Sequence, residues 1–101
     1  MKHLLLTLVL AGASSAPVLA DQALASDKHC MGCHAVNDKK VGPAFKDVAT
    51  KYRGDKNAVD RLALKIRQGG AGAWGPVTMP PNPQVNEADA KKLANWVLGL
   101  K

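Results

Sequence analysis

Cysteine is almost missing from this chain: its 101 residues hold two, Cys30 and Cys33. A disulfide between them would close a loop too short to brace a domain, so no disulfide framework holds the fold. A structural zinc site fares no better, because His29 and His34 are the neighbouring ligands and all four lie within six consecutive residues. Such a cluster cannot readily close a tetrahedron. Long apolar runs are absent too. The longest, Leu4 to Leu10 interrupted by Thr7, falls well short of the roughly 20 residues that a spanning helix needs. There is no internal repeat, no low-complexity tract and no strand-like alternation. No pairing of general acid and base, no activated nucleophile and no phosphate-cradling loop is evident, which argues against an enzyme.

The first twenty residues read as a signal peptide. Lys2 supplies the positive start, the Leu4 to Leu10 run the apolar centre, and Val18-Leu19-Ala20 a small-residue cleavage site before Asp21. Export to the periplasm is expected, with no stable membrane insertion after cleavage. Residues 21–101 then form one domain, whose apolar core is too small to be comfortable without reinforcement. Without Lys2, thirteen basic residues stand against eight acidic ones, a balance that favours acidic partners or surfaces. An exported chain has simpler uses for lysine than nucleic acid, which is not expected as a partner.

Helical segments separated by turn-forming residues make up the rest. Gln22 to Lys28 is a short candidate after Asp21 as N-cap. Phe45, Val48, Ala49 and Tyr52 recur at helical spacing between Gly42-Pro43 and Gly54. Val59, Leu62, Ala63 and Ile66 form a stripe that starts near Asp55 or Asn57 and stops at Gly69-Gly70. The last segment begins at Asn86, with Asp89 three residues on, and carries Leu93, Trp96, Val97 and Leu100. Between the third and fourth helices, Gly69 to Val85 holds four glycines and four prolines, a composition no helix accommodates. A loop that long in a small domain usually wraps a ligand or carries a function.

Cys30-Met31-Gly32-Cys33-His34 is the C-x-x-C-H pattern of c-type haem attachment. Two thiols that add to the two vinyl groups of one porphyrin must sit about three residues apart on a turn of helix. The adjacent histidine then lies beneath the iron. A thioredoxin-like dithiol shares C-x-x-C but belongs to a strand and helix unit that is lacking here. His29 is expected to be solvent-exposed. One covalent haem c would supply the missing core.

The occupant of the sixth iron position decides between electron transfer and ligand binding or catalysis. Met1 leaves with the signal peptide, and Met31 is locked inside the motif. Met79 remains, held in the stiff Thr78-Met79-Pro80-Pro81 segment of the loop. A lone methionine is more often core filling. Here elimination favours ligation, and a His/Met pair raises the potential and leaves little to rearrange on oxidation. The alternative is a five-coordinate haem protein that binds a gas or reduces peroxide.

Beyond the haem motif, Val41-Gly42-Pro43-Ala44, Lys46-Asp47-Val48-Ala49, Trp74-Gly75-Pro76, Met79-Pro80-Pro81-Asn82 and Trp96-Val97-Leu98 give residues 21–101 a wider likeness. The chain resembles the small bacterial class I cytochromes c of the c-551/c-552 family. The resemblance implies that the Pro43 carbonyl accepts a hydrogen bond from the imidazole of His34, and that the Asn82 side chain contacts the Met79 sulfur. It further implies that the Trp74 indole points to a haem propionate with Lys65 nearby. Thr78 replaces a proline common in relatives, the segment after Asn82 differs, and Ala25 stands where some relatives carry a large aromatic. Trp96 is expected to compensate at the contact between first and last helices.

The expected fold is all-α, four main helices wrapped around one haem, in a monomer. The expected function is a respiratory electron shuttle that takes single electrons from a donor such as a membrane cytochrome complex. It would pass them to a periplasmic reductase or terminal oxidase. Lys28, Lys39 and Lys40 are candidates for a docking patch near the exposed haem edge.

Overall fold

A computed structural model describes the backbone of residues 17–101, with side chains from Asp21 onward. The expected signal peptide, residues 1–20, lies outside the described residues apart from the backbone of 17–20. Four α-helices carry the described part: α1 Pro17–Asp27, α2 Phe45–Lys51, α3 Ala58–Gln68 and α4 Glu87–Leu98. A single 3-10 turn, Cys30–Gly32, follows α1 and places the cysteine motif.

Two sequence expectations need correcting. Asp21 does not cap α1 but lies inside it, since the helix already runs from Pro17. The glycine- and proline-rich stretch is also not all loop: β1 Gly70–Gly72 pairs antiparallel with β2 Gly75–Met79. No alternation announces this hairpin because it does not rest on one. Gly70, Gly72 and Gly75 stand at φ 143°, 99° and 105°, backbone conformations that side chains disfavour, so the pairing is a glycine conformation rather than a half-buried strand pattern.

The other boundaries follow their local chemistry. α4 starts where the Asn86 side chain accepts the Asp89 amide at 2.8 Å, satisfying one of the helix's orphan donors. α3 has Asp60 in its first turn and Lys65 and Arg67 in its last, both favourable to the helix dipole. It stops at Gly69, φ 69°. α2 gives way to a turn in which Gly54 takes φ 84°.

α4 packs against α1, α2 and α3, and its Ala90, Leu93, Ala94, Trp96 and Val97 form the centre of the core. Burying Leu93 and Val97 stabilises the fold by about 1.5–3 kcal/mol each. Ala25 of α1 is fully buried against this cluster, so the first and last helices meet across a small side chain. Trp96 lies in the same cluster and meets Phe45 edge to face, ring centroids 5.4 Å apart. Among the described residues only Val85 is both bulky and completely enclosed. The core protein contributes is thin, and the helices leave a cavity at its heart.

Candidate functional site: a haem cavity

The segment after α1 is closed by short backbone bonds. Cys33 and His34 donate their amides to the Cys30 carbonyl at 3.2 and 3.0 Å. Gly42 returns to the Cys33 carbonyl at 2.8 Å, and Phe45 and Lys46 donate to Ala35 and Val36 at 2.9 and 3.1 Å. The loop between motif and α2 is thereby folded back onto His34. Lys40 adds a tie, its Nζ donating to the Met31 carbonyl at 3.0 Å.

Three contacts fix the His34 ring. Its Nδ1 lies 2.9 Å from the Pro43 carbonyl. A carbonyl only accepts, so Nδ1 carries the proton and Nε2 keeps the lone pair that a metal needs. Phe45 stacks on the imidazole at 4.8 Å, 19° from parallel. Gly42 lies against the ring so closely that a Cβ there would stand 2.7 Å from Nδ1. Glycine is required at that position by contact, not by backbone angle.

Met79 ends β2 and pairs with Gly70 at the base of the hairpin. Gly69 presses on the same place: a Cβ there would collide with the Met79 carbonyl oxygen and come within 2.8 Å of Pro80 and Pro81 backbone atoms. Beyond it, Asn82 is anchored to the end of α3. Its amide nitrogen donates to the Ile66 carbonyl at 2.8 Å and to the Pro80 carbonyl at 3.4 Å, while its oxygen accepts from Gln84 at 3.2 Å. Gln84 also donates to the Lys28 carbonyl at 3.3 Å, joining this segment to the approach to the cysteine motif. The contact with the Met79 sulfur that the family resemblance implies is not among these bonds.

Between these walls lies a cavity of about 290 Å³, adjoined by one of about 140 Å³. Cys33, His34, Ile66 and Met79 line both, so the two are compartments of one crevice. Pro43, Lys65 and Trp74 line the larger; Cys30, His29 and Asn82 line the smaller. The structure therefore brings every predicted site residue to one crevice. Met31 instead packs against the core, part-buried. Trp96 lines the smaller compartment, and its buried indole N–H finds no protein acceptor.

The cysteines are free thiols in the structure. Burial pushes the Cys30 thiol above its ordinary pKa, partly offset by a backbone hydrogen bond. Among the described residues no group of three or more His, Cys, Asp and Glu side chains is placed to hold a metal ion. One imidazole, one thioether and two thiols on a largely apolar crevice fit a haem.

A mostly helical domain with one short hairpin, built around such a crevice, defines a monohaem cytochrome. The cytochrome c family model matches residues 20–101. The chain is 56% identical over 82 residues to cytochrome c-552 of Hydrogenobacter thermophilus, covering 81% of this chain and 83% of that one. It is 50% identical over 105 residues to cytochrome c-551 of Stutzerimonas stutzeri, covering the whole of both. The crystal structure of wild-type Nitrosomonas europaea cytochrome c552 superposes with a TM-score of 0.77 at 50% identity, covering 79% of this chain and 99% of that one. The chain belongs to the cytochrome c-551/c-552 group of the cytochrome c family. It is accordingly a small electron carrier with one covalently attached haem c.

Sequence reasoning missed two kinds of contributor. Gly69 reads only as a helix stop, although its missing side chain is what lets α3 lie against the Met79 segment. Lys51 belongs to no motif, yet its Nζ reaches the Ala73 carbonyl at 3.2 Å. The signal for Gly69 was present in the glycine itself; no local pattern marks Lys51.

Proposed function

We propose that this chain is an exported, monomeric electron carrier of the periplasm, with its haem thioether-bonded to Cys30 and Cys33 and its iron ligated by His34 and Met79. The observation that carries this reading is the pairing of a tautomer-fixed imidazole with Met79 on one crevice. The bound haem iron supplies the one-electron couple. The protein's part is to hold both ligands still. Pro43 orients His34 and, by accepting from Nδ1, makes Nε2 a stronger donor. The hairpin base and the Gly69 contact limit how far Met79 can move. In this reading Trp74 and Lys65, which line the larger compartment, bind the haem carboxylates, and Asn82, bonded to the Ile66 carbonyl, fixes the loop that carries Met79.

Donor and acceptor are redox proteins, a membrane cytochrome complex on one side and a periplasmic reductase or terminal oxidase on the other. Of the three lysines expected to steer them, Lys40 is tied to Met31 and Lys28 stands 3.9 Å from Asp27, while Lys39 is exposed at the larger compartment. Lys39 is therefore the freest of the three charges. Steering by these lysines requires association rates that fall as salt is added; rates indifferent to salt would remove the patch from the account.

Carbon monoxide tests the axial assignment. Reduced protein with Met79 on the iron resists the gas, whereas ready binding at neutral pH would show an open sixth position and favour a gas-binding or peroxide-reducing role. Export is checked by the N-terminus of the protein recovered from periplasmic extract, expected at Asp21.

A further inference from the structure

The tip of the hairpin has little of its own to hold it. Ala73 and Trp74 form the turn, flanked by Gly72 and Gly75 at positive φ, and Trp74 is 45% exposed. Two glycines and an exposed ring leave such a turn free to sample many conformations unless another element restrains it. Trp74 nevertheless stands at the larger compartment.

Lys51, the last residue of α2, supplies the restraint. Its Nζ donates to the Ala73 carbonyl at 3.2 Å and lies 4.9 Å from the centroid of the Trp74 ring. One ammonium thus satisfies a turn carbonyl and meets an aromatic face, within the range where a cation is attracted by the ring. α2 is anchored in the core through Phe45, Val48 and Ala49, so the lysine ties the hairpin tip to a fixed element.

We propose that Lys51 is a positioning residue for Trp74, clamping the hairpin tip to the end of α2 and setting where the indole stands at the haem crevice. This deepens the function proposed above and rests on it in one respect, the role of Trp74 toward the haem. The base of the same hairpin carries Met79, so the clamp restrains the far end of the element that presents the thioether.

Nitrogen relaxation of the two indole N–H groups in the reduced holoprotein tests it, with Trp96, buried in the core, as the internal reference. In Lys51→Met, which keeps the side-chain length and loses both contacts, the Trp74 order parameter falls from about 0.85, a rigid value, to below about 0.6. Trp96 stays rigid. Lys51→Arg retains a cation and a donor and restores Trp74. A Trp74 indole that stays rigid in Lys51→Met overturns the clamp. Equal loosening of both indoles overturns it as well, since Lys51 would then be a general stabiliser. The reduction potential of Trp74→Phe tests the underlying reading separately: a potential left unmoved removes Trp74 from the haem's surroundings, and the relaxation result still decides whether Lys51 clamps it.

Discussion

The wall that carries His34 is held by bonds between near neighbours, Cys30 to His34 and Cys33 to Gly42, and by a stack on Phe45. The wall that carries Met79 hangs from a glycine hairpin and is tied down by contacts that span long stretches of sequence, Asn82 to Ile66 and Gln84 to Lys28. Local bonds form whenever the motif turns. Distant ones need α1 and α3 already in place. The comparison teaches that the histidine side is built into its own segment, whereas the methionine side is a product of the whole fold and is the more easily disturbed.

The largest expected effect comes from removing the attachment. Cys30→Ser with Cys33→Ser abolishes covalent haem, read as loss of haem stain on a denaturing gel. The chain then loses its folded circular dichroism, because the core is too small to stand without the cofactor. Next come the two glycines that press on His34 and on the Met79 segment, one on each wall. Gly69→Ala costs about 3 kcal/mol, the sum of a left-handed backbone and a collision with rigid backbone atoms. Gly42→Ala meets a side chain at an ordinary backbone angle and costs about 2 kcal/mol. Denaturant unfolding of the holoproteins checks the order; a reversed order would break the comparison, making the histidine wall the more easily disturbed.

Smaller effects sharpen it. Asn86→Ala removes the cap of α4, away from both walls, and lowers stability by about 1 kcal/mol without altering the visible spectrum. His29 takes φ 67°, a left-handed conformation that suits glycine better, directly before Cys30. His29→Gly is expected to raise stability by up to about 1 kcal/mol, measured as the shift in denaturation midpoint, since the local wall holds its shape without that side chain.

The same asymmetry decides what the sequence discloses. The haem motif and the stripes of α3 and α4 are legible because their residues are contiguous or recur at a fixed helical period, and the Asn86 cap because its partner lies three residues away. Met79 is reached by elimination among three methionines, a count rather than a pattern. The hairpin that presents it is illegible, since glycine conformation leaves no periodic trace, and so is the start of α1 at Pro17, which overrides Asp21 as a cap. Pro43 and Trp74 come from resemblance; the structure supplies the Pro43 contact with His34 and sets Trp74 on the crevice. Lys51 belongs to neither source, because a long side chain reaching a distant turn depends on packing that no local window contains.

The claim on which the rest depends is that Met79 completes the iron's coordination. Absorption of the oxidised protein in the near infrared, where a methionine sulfur gives iron a weak band, tests it most directly when paired with Met79→Ala. A band present in the parent and lost in the variant, with a fall in reduction potential, is the predicted result. A parent without the band, or a variant that keeps it, would contradict the account.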